Sequence, residues 1–331
     1  MLSGAFWINK PAELTSSDVV VRLKIALTRG GYCDKGFKIG HGGTLDPFAT
    51  GALVILVGEA TKLADTYLHS IKTYTGIISL GSRTDTGDFT GEIVELCPTT
   101  FMDTEWQKLA DSFCEDEYWQ TPPMYSAKKQ GGKPLHELAR QGIEVERKAI
   151  LKKIHRFQVK KISESELSFE VKCESGTYVR VIAEDLAKKA GTLAHLKTLI
   201  RTETSDVSLE KCSSLESVQK LLLDQTPISN IGSFHPMQEV ATHLPSVPVT
   251  EKEAQSILQG FKNTVHTVLD RFYASTTSGA RSEDLTPAKY LVARLNEGSI
   301  GTPVALFERT SENDSMLRPT YRMQRVILWQ S

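Results

Sequence analysis

Leu167, Phe169, Val171 and Cys173 fall on every second position, with polar or charged residues between them. Side chains alternate across a strand, so this spacing predicts one buried face and one wet face. The run 150–162, on the other side of Ser163-Glu164-Ser165, predicts a second strand. Residues 5–10 predict a short strand that stops at Lys10-Pro11, and Lys72 to Leu80 a longer one. Ala52 to Val57 is apolar without interruption, which fits a buried strand or the start of another packed element. Helical spacing appears elsewhere. Val20, Leu23 and Leu27 stand at i, i+3 and i+7 behind the capping candidates Thr15, Ser16, Ser17 and Asp18, and Gly30-Gly31 ends that helix. Trp106, Leu109 and Phe113 share one face of a helix over 104–114. Ile182, Ala183 and Leu186 lie inside a helix opened by the stretch 175–180. Further helices are expected over 58–70, from Pro134 to Gly142 and over 213–223, with loop at 80–88 and a turn at 130–133.

The pattern changes after residue 223. Pro227, Pro236, Pro245 and Pro248 punctuate 224–248, which reads as a linker. Residues 249–331 read as a separate small unit with strands at 303–307 and 325–329, and the polar stretch from Ala274 to Pro287 is expected to be mobile. With 331 residues the chain is long enough for two domains. No apolar run approaches the length of a membrane span. The opening residues lack the basic and long apolar regions of a secretory signal, so a cytoplasmic protein is expected. Cys33, Cys97, Cys114, Cys173 and Cys212 are odd in number, far apart and without a Cys-x-x-Cys pair. That argues for reduced, mostly buried thiols and against a disulfide framework or a zinc site. A net charge of −1 is neutral on nucleic acid, because basic 128–161 is offset by acidic 103–117.

One loop concentrates the candidate chemistry. Gly40-His41-Gly42-Gly43-Thr44-Leu45-Asp46-Pro47-Phe48-Ala49-Thr50-Gly51 combines four glycines with a proline that pushes Asp46 towards an extended conformation. A carboxylate held on a stiff turn, anchored by the apolar run behind it, can be aimed at one point as a nucleophile must be. The competing reading is a turn in which Asp46 caps its own backbone. Arg180, at the start of a helix, meets the positive end of the dipole, a placement that asks for a specific anionic partner. Near Asp46 it would keep that carboxylate ionised and oriented. Tyr74 reads from propensity alone as a core aromatic. The basic residues around 128–133 suit RNA phosphates or an ordinary solvated face.

The Gly40–Gly51 string closely resembles the signature of the TruB family of RNA pseudouridine synthases. The likeness continues in order through Ile8-Asn9-Lys10-Pro11, Lys72-x-Tyr74, Gly81-x-x-Thr84-Asp85-Thr86, Pro123-x-Tyr125-Ser126-Ala127-Lys128 and Gly176-Thr177-Tyr178-x-Arg180, over about the first two-thirds of the chain. His195 to Arg201 resembles the closing strand of the catalytic domain, with Leu199-Ile200-Arg201-Thr202 where the family has a Leu-Arg-Arg type of string. The resemblance implies an α+β pseudouridine synthase fold: a mixed, mostly antiparallel sheet flanked by helices, plus a small β-rich PUA-like C-terminal domain. The divisions expected are 1–223 catalytic, 224–248 linker and 249–331 RNA-binding. The implied reaction isomerises a T-loop uridine of tRNA, conventionally uridine 55, after the base leaves its stack. Asp46 is then the nucleophile, with Tyr74 and Arg180 as the other catalytic residues and His41, Tyr178 and Leu199 binding the substrate. No cofactor or metal is implied. The partner is the tRNA T-arm, with no membrane, no obligate protein partner and a monomeric state expected. The alternatives are a tRNA-folding chaperone that only binds RNA and a guide-dependent synthase acting on rRNA.

Overall fold

The computed structural model describes residues 2–97, 104–126, 128–277, 290–295, 303–313 and 319–326. A central sheet of ten strands runs in the order Ile154–Lys161, Glu166–Cys173, Lys72–Leu80, Ala194–Thr204, Thr50–Val57, Gly4–Lys10 and Ser213–Ser214, with three short strands paired beside this path. Neighbours are antiparallel except where Ala194–Thr204 meets Thr50–Val57 and where Gly4–Lys10 meets Ser213–Ser214. The sheet is therefore mixed and mostly antiparallel, as expected.

The hydrophobic pattern accounts for the layering. Leu167, Phe169, Val171 and Cys173 are buried in one cluster with Trp106 and Phe113 of the Trp106–Glu115 helix and Ile182 and Leu186 of the Val179–Lys189 helix. Thr50–Val57 is covered on both faces. Ala52, Val54 and Leu56 pack towards Trp7 and Tyr67, whereas Leu53, Ile55 and Val57 pack under the Ser16–Arg29 and Leu215–Leu223 helices. A strand without a wet face carries no alternation, which explains its continuous apolar run. The Ser16–Arg29 helix turns Val19, Leu23, Ala26 and Leu27 inward, with Val20 only half-buried. Thr15 caps it in a reciprocal box with Asp18. Thr15→Ala removes both bonds of the Thr15 hydroxyl, the one it accepts from the Asp18 N–H and the one it donates to the Asp18 carboxylate, and should lower unfolding stability by about 1 kcal/mol, read as a shift in the urea midpoint.

Several local expectations change. Residues 58–70 form a 3₁₀ turn, Gly58–Leu63, before the short helix Ala64–Leu68. Within 80–88, Ser82–Thr84 pairs with Ile93–Leu96 as a hairpin too short to show a period. Residues 224–248 are not a loose tether. Phe234–Pro236 adds to Gly4–Phe6 of the central sheet, Ser246–Val249 joins the small sheet, and Ile231, Ser233, Val240 and Ala241 of the same stretch are buried. Both strands lie at sheet edges, where a proline's missing N–H costs nothing, so the prolines misled.

The second sheet runs Ser246–Val249, Tyr290–Leu295, Pro303–Asn313 and Pro319–Val326 and packs on Ala254, Ile257, Val268 and Leu269. Arg294 ties it to the body by donating to the carbonyls of Gln238, Val240 and Ala241. The strand expected at 303–307 is the start of Pro303–Asn313; of the one expected at 325–329, residues 327–329 lie outside the described residues. The stretch 274–287 is helical up to Thr277, and its remainder also lies outside them. All five cysteines are free. Cys33 and Cys173 are buried, Cys97 and Cys212 half-buried, and Cys114 is exposed. Among the described residues no helix is long and apolar enough to cross a membrane, and no group of three His, Cys, Asp or Glu side chains is placed to hold a metal.

Candidate active site

The Gly40–Gly51 loop leaves the sheet at Ile39–His41 and returns at Thr50–Val57, and the two ends pair with each other. Its glycines serve close approach. A Cβ on Gly42 would lie 2.5 Å from Tyr67 Cβ, and one on Gly51, where φ is +116°, would lie 2.3 Å from the Arg201 carbonyl oxygen. Buried cations then hold the loop. Arg201, only 1% exposed, donates through Nε to the Ala52 carbonyl at 2.7 Å, through Nη2 to Gly43 at 3.2 Å and through Nη1 to Thr44 at 3.3 Å. Lys10, fully buried, donates to the carbonyls of Pro11, Leu14 and Pro47, and burial lowers its pKa to about 8. The Leu45 N–H donates to Ser16 Oγ at 2.9 Å. The backbone on both sides of Asp46 is thereby fixed.

Arg180 meets Asp46 in a two-pronged ion pair, Nε to Oδ2 at 2.9 Å and Nη2 to Oδ1 at 3.2 Å. The guanidinium side is sealed, with Arg180 4% exposed, while about a third of the Asp46 side chain (34%) faces solvent. The carboxylate is held from behind and open in front. Arg180 also donates to the carbonyls of Thr86 at 2.6 Å and Tyr125 at 2.8 Å, and its Nη1 lies 3.8 Å from the buried Asp88 carboxylate. Asp88 escaped the reading of the sequence. Its signal was present: Asp88 is flanked by Thr84, Thr86 and Thr90, of which Thr86 and Thr90 donate to its carboxylate and Thr84 to its backbone carbonyl, and that marks a loop built around one anion.

Of the other residues singled out from sequence, Tyr74 and Tyr178 lie close enough to Asp46 to feel its charge, while Leu199 and His41 are tied to the same loop through Leu45 and Gly43. Tyr74 is buried next to Arg201, its register partner on the neighbouring strand. Burial raises its hydroxyl pKa, and the Arg201 guanidinium pulls it back. Tyr74 and Leu199 share an apolar cluster with Leu45, next to Asp46 in the chain. Tyr178 is half-buried at the cap of the Arg180 helix, its N–H donating to Gln120 Oε1 at 2.8 Å, close enough to Asp46 for the carboxylate to help burial raise its pKa. His41 stands at the loop entrance, its Nδ1 accepting from the Gly43 N–H at 3.4 Å; burial, then Arg201, lowers its pKa. A hollow of about 910 Å³ lined by Thr73, Glu170, Lys172 and Glu203 is elsewhere, because Thr73 faces away from Tyr74 across the sheet.

Burial pushes the Asp46 carboxyl above its ordinary range, with Arg180 pulling it down and Asp88 pushing it further up. A step that needs the anion loses rate as pH falls through this raised value and keeps it above. The acid limb of kcat/KM should thus lie above the usual aspartate value of about 3.9. An acid limb at or below that value would mean that the guanidinium outweighs burial.

A family model described as TruB family pseudouridylate synthase (N terminal domain) matches residues 32–179. A protein named tRNA pseudouridine synthase B from Hydrogenovibrio crunogenus is 36% identical over 277 residues, covering 82% of this chain and 86% of that protein. The chain belongs to the TruB family. A protein of the same name from Psychrobacter arcticus is 43% identical over 228 residues, 68% of this chain and 58% of that protein. The chain thus spans under two-thirds of the length of this relative, and 62% of one from Psychrobacter cryohalolentis. The crystal structure of a Cbf5-Nop10-Gar1 complex contains a chain with a TM-score of 0.66 at 20% identity, covering 98% of this chain and 85% of that one. At that identity the likeness speaks for the fold, which this TruB family member shares.

Proposed function

We propose that the chain isomerises a uridine in the T-arm of tRNA to pseudouridine. The N1–C1′ glycosidic bond breaks, the base turns, and a C5–C1′ bond forms. N1 gains a proton and C5 loses one, so atoms and electrons balance. The observation that carries this reading is the Asp46 carboxylate, gripped from behind by the sealed Arg180 and open on its other side. That is the form a fixed nucleophile or charge stabiliser takes. Relatives named tRNA pseudouridine synthase B support the substrate class.

In this reading Arg180 orients Asp46, Tyr74 and Tyr178 contact the base, and Leu199 forms part of the pocket wall. The target atoms are hidden in folded RNA, so the uridine must leave its stack, and His41 at the loop entrance fills the gap. Residues 1–223 hold the catalytic machinery, and the small unit over 249–331 is an RNA-binding appendage. Formation of the new bond at C5 supplies a direct test. Unmodified tRNA transcript carrying tritium at uridine C5 should release one tritium per tRNA into water when mixed with the protein. Retention of all label would refute the reaction.

A further inference from the structure

The stretch beside Asp88 carries a side chain that the free protein does not use. Phe89 is 56% exposed, although it follows a residue bound to the centre of the site. Its backbone is fixed on every side. The Phe89 N–H donates to the Leu196 carbonyl at 2.9 Å, Leu196 N–H returns a bond to Gly87 at 3.0 Å, and Asp88 accepts from Thr86 and Thr90. Gly87 in turn lies against Arg180 and Glu184, where a Cβ would come within 2.9 Å of Glu184 Oε1. Among the described residues the ring contacts one other aromatic, Phe48, at 5.9 Å between centroids and 83° between planes. Phe48 itself is half-buried on the core.

The two rings mark the site's edge. Arg180 binds Asp46 and approaches Asp88; Phe48 lies two residues after the first and Phe89 one residue after the second. Consecutive Cα atoms are about 3.8 Å apart, so Phe89 cannot lie far from the reacting centre. Fully burying a phenylalanine removes roughly 150–250 Å² of surface from water, of which about half is still exposed at Phe89, and a side chain on a fixed backbone with one ring braced against it has less freedom to lose when covered. The ring has no charge to offer a phosphate. Its π-face suits the face of a nucleobase, whichever base that is.

We infer that Phe89, braced by Phe48, is a stacking shelf for an unpaired RNA base that flanks the target uridine. This rests on the RNA reading above and adds a binding position to it. The shelf contributes affinity and register without reading sequence, since stacking is tolerant of base identity.

The test uses the full chain with Phe89 replaced by Ala, Leu or Trp, and unmodified tRNA transcript. Phe89→Ala should weaken binding roughly 5- to 100-fold, the range found when single stacking aromatics are removed, and kcat/KM should fall with it. Phe89→Trp should restore binding. Phe89→Leu, apolar but without a π-face, should not. With 2-aminopurine placed singly at loop positions beside the target, one position should be quenched by the wild-type protein and not by the Ala variant. Thermal unfolding should stay unchanged across the set, because the side chain is exposed. Equal affinity of Ala and wild type, full rescue by Leu, or the same quenching profile in both proteins would overturn the shelf. The wild-type lane judges the RNA reading separately: no binding and no reaction there defeats both.

Discussion

Asp46→Asn should abolish isomerisation, with a loss of roughly four orders of magnitude or more in the single-turnover rate, while tRNA affinity stays near that of the wild type. The change keeps size and shape but removes the negative charge. Arg180 now presents two donors, at 2.9 and 3.2 Å, to a group that accepts at one end and donates at the other. One prong of the fork is lost, and the oxygen that remains is a poor nucleophile. Fold should survive, because the backbone around Asp46 is held by Lys10, Ser16 and Arg201 and not by the carboxylate. Single-turnover rates with excess protein, together with filter binding, separate the two effects. A variant that retains more than about a hundredth of the rate would remove Asp46 from the chemistry.

Replacing Arg180 should be the most costly single change to stability in the site. Its guanidinium serves the Asp46 and Asp88 carboxylates and the carbonyls of Thr86 and Tyr125, and it is 4% exposed. Arg180→Met leaves two carboxylates facing each other without their shared cation. Breaking a fully buried pair from one side costs about 3–5 kcal/mol, and because a third of Asp46 stays open to water the loss should fall at or below the low end of that range, visible as a lower denaturant midpoint. Arg180→Lys is the more informative variant. A compact ammonium cannot reproduce the planar fork, so activity should drop while the protein stays folded. The guanidinium is a lowering influence on Asp46, so weakening it raises the carboxyl pKa further. The acid limb should move to higher pH, and the remaining activity should recover as pH rises through that limb. An unshifted limb in a folded Lys variant would mean that Arg180 does not tune Asp46.

The strands were legible because their burial is one-sided. Alternation from Leu167 to Cys173 needs only a local period, and the pattern names the buried face correctly. The uninterrupted run 52–57 carries no period because both of its faces are buried, which left it open between a strand and another packed element. The Asp46 loop was legible because its glycines and proline restrict the backbone locally. Arg180 announced itself by standing at the wrong end of a helix dipole. What stayed hidden depends on contacts between distant residues. Nothing near Arg201 in the chain says that its side chain will hold Gly43 and Thr44, more than 150 residues away. Asp88 sits among threonines like many turn aspartates, and only the fold brings it to Arg180. The prolines of 224–248 signal a break in regular structure, yet an edge strand accepts them, and pairing with Gly4–Phe6 becomes visible only when both ends of the body are brought together.

The central claim is that Asp46 is the nucleophile or charge stabiliser of a uridine-to-pseudouridine isomerisation in the T-arm of tRNA. Carbodiimide adducts of pseudouridine stop reverse transcriptase, so primer extension on an unmodified transcript tests the claim at single-nucleotide resolution. The wild-type protein, without added cofactor, should produce one new stop in the T-loop, and Asp46→Asn should produce none. A transcript free of stops with the wild-type protein, or an unchanged stop with the variant, would contradict the account.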